Sequence, residues 1–214
     1  MLKEDAVRRL DQVVDAVREH FKTRQDLDDL FTTAYRWEHT QRVCGYGLVL
    51  AEAECANIEW TLAGCLLHDI AHFEEGEGTD HGRLGAEMAR PILAAAGYAA
   101  VAIDTVCHAI AAHVDGEAQD GLPDTVETAV ITDADNLDRF NTYRLLQWGC
   151  PRMGDFFALC RDVGERLERL TMYMEHGPLQ TETGNRLFKE KLAGQISFMK
   201  GLLEDGSLTV LPWQ

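Results

Sequence analysis

Apolar residues recur at the spacing of an α-helix along almost the whole chain, and no segment of useful length has the two-residue alternation of a strand. An apolar helical stripe is stable only when other helices cover it. The pattern therefore predicts an all-α protein, a single-domain helical bundle of about eight or nine helices. We expect these helices at residues 2–22, 26–34, 36–56, 58–71, 80–97, 99–113, 124–139, 153–176 and 185–204.

A chain of 214 residues is long enough for one sizeable core. We expect residues 1–34 to be N-terminal helices that pack on this core, which residues 35–140 form. Residues 141–214 are expected to be C-terminal helices that complete the same domain. Gly177-Pro178 marks the end of a long helix within that last segment.

The net charge of -16 excludes broad contact with a nucleic acid polymer, because an acidic surface repels polyanions. An acidic protein that handles phosphate needs local positive charge, from a few arginines or from a bound metal ion. No stretch approaches the roughly 18 apolar residues of a membrane span, and the N-terminus lacks the apolar run of a signal peptide. These features predict a cytoplasmic protein without membrane contact.

The six cysteines contain no C-x-x-C pair, so a zinc ribbon and a thioredoxin-like motif are both excluded. Several of them lie in apolar helical stretches. We interpret them as small buried hydrophobic residues in a reducing compartment.

His39 shares one helical face with Val43, Tyr46 and Leu50, so its side chain is expected to point inward. Taken alone, an inward histidine is more often a hydrogen-bonded core residue than a metal ligand.

His68 and Asp69 follow the apolar run of the helix that begins at Ile58. An ionised carboxylate at a buried helix end is costly unless it is paired or coordinated. Either a cap or salt bridge satisfies Asp69, or it shares a divalent cation with His68. Asp135 also follows an apolar stretch, and Asp138 lies on its helical face. Asp138 and Asp133 are either solvated or orient a ligating histidine.

Together, His39, the doublet His68-Asp69 and the distal Asp135 resemble the H…HD…D signature of the HD-domain phosphohydrolase superfamily. The resemblance spans roughly residues 35–140 and rests on order, spacing and helical context. It implies a helical bundle in which these four residues bind a divalent metal. Mixed imidazole and carboxylate ligands favour Mn, Fe, Co, Ni or Zn. Asn136 stands where similar nucleotide pyrophosphohydrolases carry arginine, so the resemblance does not extend to their substrate.

His81 and His113 both lie on apolar helical faces and are expected to point inward. The region is similar to that of dinuclear HD proteins, in which such histidines bind a second ion bridged by the doublet aspartate. The resemblance therefore predicts one ion and allows a second, held by His81 and His113. The alternative is that both are core or phosphate-contacting histidines.

His72, one turn after His68, is at a position where nucleotidase relatives often carry a glutamate that assists proton transfer, so we predict that Asp69 and His72 are the catalytic residues. The alternative for His72 is a helix C-terminal cap. Arg42 and Arg83 follow His39 and His81 closely and are candidate phosphate contacts, because a guanidinium group binds phosphate in a bidentate manner. The alternative is that both neutralise surface acids.

The leading hypothesis is a metal-dependent phosphohydrolase that uses metal-activated water to cleave a phosphate ester or anhydride of a small molecule, a nucleotide above all. A dinuclear iron oxygenase on the same HD-type fold would use the same ligand types and is the first alternative. A metal-containing nucleotide-binding regulatory module without turnover is the second. The sequence does not indicate the oligomeric state.

Overall fold

The computed structural model describes residues 2–23, 33–74 and 80–208. Within these ranges the chain forms nine α-helices and no strand, which confirms the all-α prediction. The helices are α1 (Glu4–Lys22), α2 (Thr33–Ala53), α3 (Ile58–Leu67), α4 (Asp80–Ala95), α5 (Ala100–Ala112), α6 (Val126–Arg139), α7 (Thr142–Gly149), α8 (Phe156–His176) and α9 (Glu182–Ser207), and a short 3₁₀ helix at Cys150–Arg152 follows α7.

Two of the predicted elements differ from the structure or lie outside it. The helix expected at 26–34 falls mostly outside the described residues. Helix α7 was not predicted, because eight residues are too few to show a clear period. Its start is nevertheless marked in the sequence: the Asn141 side chain accepts a hydrogen bond from the main-chain N–H of Arg144 and caps the helix.

The contacts between residues divide the chain into two compact units, Met1–Asp138 and Arg139–Gln214. We call them the N-terminal unit and the C-terminal unit. That the C-terminal helices complete one domain with the rest of the chain stays a prediction.

Helix α3 is the centre of the N-terminal unit and packs against α1, α2 and α5. Six of its ten residues are buried, in line with its uninterrupted apolar sequence. At Gly64 the side chain of Ile131 in α6 comes so close that a Cβ atom would lie 2.3 Å from its Cδ1 atom. This approach sets α6 beside α3, so that the following turn of α6 lies near the end of α3.

Helices α4 and α5 pack closely because a glycine faces the neighbouring backbone. A Cβ atom at Gly82 would lie 2.8 Å from the main-chain oxygen of Ala111, and one at Gly85 would lie 3.5 Å from that of His68. The small residues therefore permit an approach that a larger side chain would block. As a result, the rings of His81 and His113 lie 5.2 Å apart, centre to centre.

The C-terminal unit is built mainly on the packing of α8 against α9. Helix α8 ends at Gly177, whose φ of 53° lies in the left-handed region, so the predicted end of this helix is confirmed. Thr181 then caps α9 through its side chain. Phe188 of α9 is fully buried, with the Phe140 ring 4.8 Å away.

All six cysteines are free thiols. Cys65 and Cys107 are buried, as expected for small hydrophobic residues, whereas Cys55 and Cys150 are exposed, so the prediction is wrong for these two. Within the described part of the chain, no helix combines the length and the apolar character needed to cross a membrane.

Candidate metal centre

The chain tightens where α3 ends. His68 follows the last helical residue, and the next three main-chain bonds join residues three apart, as from Ile70 to Leu67 and from His72 to Asp69. The helix predicted to continue to residue 71 therefore stops at Leu67. His68 and Asp69 are both buried in this turn, with 0% and 5% of their surface exposed.

The donor atoms of the four predicted metal ligands converge. His39 Nε2 lies 3.1 Å from His68 Nε2, 3.4 Å from Asp69 Oδ2 and 3.2 Å from Asp135 Oδ1. His68 Nε2 lies 3.3 Å from Asp69 Oδ2 and 3.8 Å from Asp135 Oδ1. Donors bound about 2.1 Å from one ion at angles near 90–110° are separated by about 3.0–3.4 Å. The separations fit a single first-row metal ion.

Hydrogen bonds also set the histidine rings in the orientation that metal ligation needs. His39 Nδ1 donates to Asp138 Oδ2 at 2.7 Å, and His68 Nδ1 donates to the main-chain oxygen of Cys65 at 2.8 Å. Because Nδ1 carries a proton in both rings, Nε2 is the nitrogen that can bind a cation. These residues therefore fit a divalent metal in ring orientation as well as in spacing.

The charges at the centre favour a cation. Burial opposes protonation of His39, but the hydrogen bonds of its carboxylate partners, Asp135 first, raise its pKa to about 10. Burial likewise opposes ionisation of Asp69, yet the charges of His68 and Arg36 hold the pKa of that carboxyl well below its ordinary value. The pKa of Asp135 is also lowered, because the hydrogen bond with His39 outweighs burial. Without a metal ion, the ionised carboxylates are balanced by protonated His39 and by a guanidinium group.

The second oxygen of Asp69 faces the two histidines predicted for a second ion. Its Oδ1 atom lies 3.5 Å from His81 Nε2 and 3.9 Å from His113 Nε2. His113 donates its Nδ1 proton to the main-chain oxygen of Ile110 at 2.6 Å, which again leaves Nε2 for a cation. Burial and the charge of His68 lower the pKa of His113 to about 4, so its ring is neutral at pH 7. Asp69 thus faces two groups of ligands with its two oxygens.

His72 lies at the edge of the same cluster. Its ligand atom, together with those of Asp69 and His81, forms a second group within 4.8 Å that could hold an ion. Its Nε2 atom also lies 2.6 Å from Arg36 Nη2. A guanidinium group only donates, so Nε2 is the acceptor and the proton of His72 is on Nδ1.

Arg36 is a residue of the centre that the sequence analysis missed. It is 9% exposed, and its guanidinium group forms an ion pair with Asp69 as well as the hydrogen bond with His72. The signal was present, since Arg36 precedes His39 by three residues and so shares its helical face.

The two arginines predicted to contact substrate have protein partners. Arg42 Nε and Nη2 donate to Asp138 at 2.7 and 3.2 Å, and Arg83 donates to Asp115 and to the main-chain oxygen of Glu117, both at 3.0 Å. Their contact with phosphate stays a prediction. Asp138 is fully buried and orients His39, as the sequence analysis allowed.

The arrangement agrees with known proteins. The HD domain family matches residues 36–139. A protein described as a predicted HD superfamily hydrolase from an uncultured Thermotogales bacterium is 24% identical, over 91% of each chain, with a TM-score of 0.64. YpgQ of Bacillus subtilis, solved in complex with ADP, is 20% identical over 94% of this chain and 96% of its own, also with a TM-score of 0.64. A Lactobacillus plantarum protein is 16% identical over 97% and 100%, with a TM-score of 0.60. No curated protein matches the chain.

The solved structures are less than 25% identical and establish the shared fold. The family match covers the helices that bring the four predicted ligands together, from α2 to α6. The chain therefore contains an HD domain and belongs to the HD-domain superfamily.

Proposed function

We propose that this protein is a metal-dependent phosphohydrolase that cleaves a phosphate ester or anhydride of a small molecule, with a nucleotide as the substrate class. The observation that carries the proposal is the convergence of His39, His68, Asp69 and Asp135, whose donor atoms lie 3.1–3.8 Å apart. The complex of the similar protein YpgQ with ADP supports a nucleotide.

His39, His68, Asp69 and Asp135 would hold the first divalent ion, of Mn, Fe, Co, Ni or Zn, and His81 and His113 would complete a second site on Asp69. A divalent ion would supply an acidified water and would neutralise negative charge on the phosphoryl oxygens.

The chain's own groups would hold and orient the reacting parts. Asp138 fixes the His39 ring, and Arg36 holds one oxygen of Asp69. His72, whose Nε2 atom accepts from Arg36, is neutral at this nitrogen and can take up a proton from an attacking water when that hydrogen bond is exchanged. We therefore propose Asp69 and His72 as the catalytic residues, with His72 as the proton carrier.

Metal-dependent hydrolysis is the direct test. Chelator-treated protein would be incubated with Mn, Fe, Co, Ni, Zn or Mg and with nucleoside mono-, di- and triphosphates, cyclic nucleotides and sugar phosphates, and release of phosphate and pyrophosphate would be measured. We expect release only with metal, and its loss in Asp69→Asn, which keeps the shape of the side chain but removes its charge. Asp104→Asn is the matched control, because Asp104 is half-exposed and pairs with Arg90. Release that survives in Asp69→Asn, or no release with any metal, would contradict the proposal.

A dinuclear iron oxygenase is a second candidate, favoured by one observation: the two oxygens of Asp69 face His39 and His68 on one side and His81 and His113 on the other. Iron-loaded protein that is coloured and consumes oxygen with an organic phosphonate or an inositol, but releases no phosphate from the panel, would favour this candidate. Metal-loaded protein that binds nucleotides and turns over none would instead indicate a regulatory module.

A further inference from the structure

The C-terminal unit concentrates positive charge around Trp148. The guanidinium carbons of Arg152 and Arg166 lie 4.9 and 5.0 Å from the centre of the indole ring. Arg144 lies one turn before Trp148 on α7, and Arg169 lies one turn after Arg166 on α8. The charges of Arg144, Arg152 and Arg169 all act on Arg166. We call these four arginines the arginine cluster. They lie close together in a chain whose net charge is -16.

The polar groups of the cluster are unequally satisfied. Arg152 donates to Asp162 at 2.9 Å and to the main-chain oxygen of Trp148 at 2.6 Å. Among the described residues, by contrast, the Nε atom of Arg166 is buried without a hydrogen-bond partner, and so is the Oε1 atom of Gln147. Buried polar atoms of this kind are uncommon in folded proteins unless a ligand or water meets them.

The electrostatic environment of Arg166 lacks negative charge. Burial is the largest effect that lowers the pKa of Arg166, and the neighbouring arginines lower it further. An arginine in a structural ion pair would be expected to show the opposite shift, as Arg42 does beside the buried carboxylate of Asp138. Like charges held this close repel one another, and an anion between them would remove that repulsion.

We propose that the arginine cluster binds the phosphate groups of a small ligand. A guanidinium group presents paired N–H donors that match phosphate oxygens, and contact with an indole ring restricts Arg152 and Arg166, so less freedom is lost on binding. Several positive charges suit an ion with two or more negative charges, such as phosphate or pyrophosphate, better than a single carboxylate. A nucleic acid polymer is a poor fit, because the remainder of this acidic chain would repel it.

This inference goes beyond the proposed function, because the cluster belongs to the C-terminal unit and the candidate metal ligands to the N-terminal unit. The phosphate groups could be those of the substrate or those of a separate ligand. Both share the same chemistry, and kinetics can distinguish them.

Binding of pyrophosphate to the full-length protein tests the site without metal or turnover. Chelator-treated protein would be titrated with pyrophosphate by calorimetry at fixed ionic strength. Arg166→Gln should weaken binding by at least about tenfold, the loss expected when one charge-assisted hydrogen bond is removed. The matched control is Arg161→Gln, which removes the same charge from an exposed position five residues earlier on α8 and should change affinity less than about twofold.

Thermal unfolding separates a binding role from a structural one. Without pyrophosphate, Arg166→Gln should unfold at the same temperature as the wild type or higher, because the substitution removes repulsion among like charges. Pyrophosphate should raise the unfolding temperature of the wild type and of Arg161→Gln but not of Arg166→Gln. A variant that is less stable yet binds pyrophosphate as the wild type does would overturn the proposal. So would equal weakening in both variants, which would indicate general charge attraction, or no binding to the wild type.

The kinetic arm uses a nucleotide that the metal-loaded enzyme hydrolyses. A raised KM with unchanged kcat in Arg166→Gln would assign the cluster to the substrate's phosphates. Unchanged kinetics together with lost pyrophosphate binding would assign it to a separate phosphate-bearing ligand. Both results support the site, and a failure of pyrophosphate binding leaves the proposed hydrolysis unaffected.

Discussion

Replacement of Asp138 by asparagine should weaken both the fold and the metal centre. The carboxylate is fully buried and accepts from His39 Nδ1 and from two nitrogens of Arg42, at 2.7–3.2 Å. In Asp138→Asn an amide N–H group replaces one oxygen and points a donor at a donor. Removing one partner of a buried ion pair costs about 3–5 kcal/mol. Because the Arg42 side chain is 30% exposed and water can reach it, we expect the lower end, about 3 kcal/mol of the free energy of unfolding.

The metal centre should respond as well, because Asp138 fixes the ring that presents His39 Nε2. Loss of such an orienting carboxylate lowers metal affinity by about 10–100-fold. Urea unfolding and calorimetric titration with Mn²⁺ or Co²⁺ measure the two effects. Asp104→Asn is the matched control: its pair with Arg90 has the same chemistry, with side chains 49% and 53% exposed. The control should lose less than about 0.5 kcal/mol and no metal affinity. Equal losses in the two variants would refute the reasoning.

Two further predictions concern the N-terminal unit. In urea unfolding, Gly82→Ala should cost about 1–3 kcal/mol, because its Cβ atom would meet the backbone of α5 at 2.8 Å. Gly45→Ala, with nothing within 4 Å, should be neutral or stabilising, and equal effects would contradict the close packing. Both ring nitrogens of His108 face carboxylates, of Asp120 and Asp124, at 2.8 Å, and these bonds outweigh burial and raise its pKa. The protonated ring therefore stabilises the fold below its ordinary pKa of about 6.5, and this contribution is lost as pH rises through the raised value. His108→Gln should cost about 1 kcal/mol near pH 6 and less near pH 9, whereas a pH-independent cost would contradict the assignment.

The parts of the fold that could be predicted are those encoded locally. A helix of four turns repeats its apolar spacing often enough to be recognised, and α1, α5 and α6 begin and end within two residues of their predicted bounds. Helix α7 offers only two turns, so its capping residue Asn141 was the stronger signal. The tightened turn after Leu67 was also unpredictable, because it depends on how α3 packs at the centre of its unit.

The candidate ligands were predictable because each of them is an expensive residue in an apolar helical context. Their partners were harder to predict, because a hydrogen bond between residues far apart in sequence leaves no local pattern. Asp138 is 96 residues from Arg42 and 99 from His39, and Arg36 is 33 from Asp69. Sequence spacing placed Arg42 at the pocket edge, where the structure instead pairs it with a buried carboxylate.

The most direct test of the metal centre is a titration in which bound metal and phosphate release are measured on the same samples. Chelator-treated wild type and Asp135→Asn would be titrated with Mn²⁺ or Co²⁺ in the presence of the hydrolysed nucleotide. The four-ligand site predicts that the rate rises with bound metal and stops rising at one or two ions per chain, and that Asp135→Asn needs at least about tenfold more metal for any comparable rate. A rate independent of bound metal, or a variant that binds metal and releases phosphate as the wild type does, would contradict it.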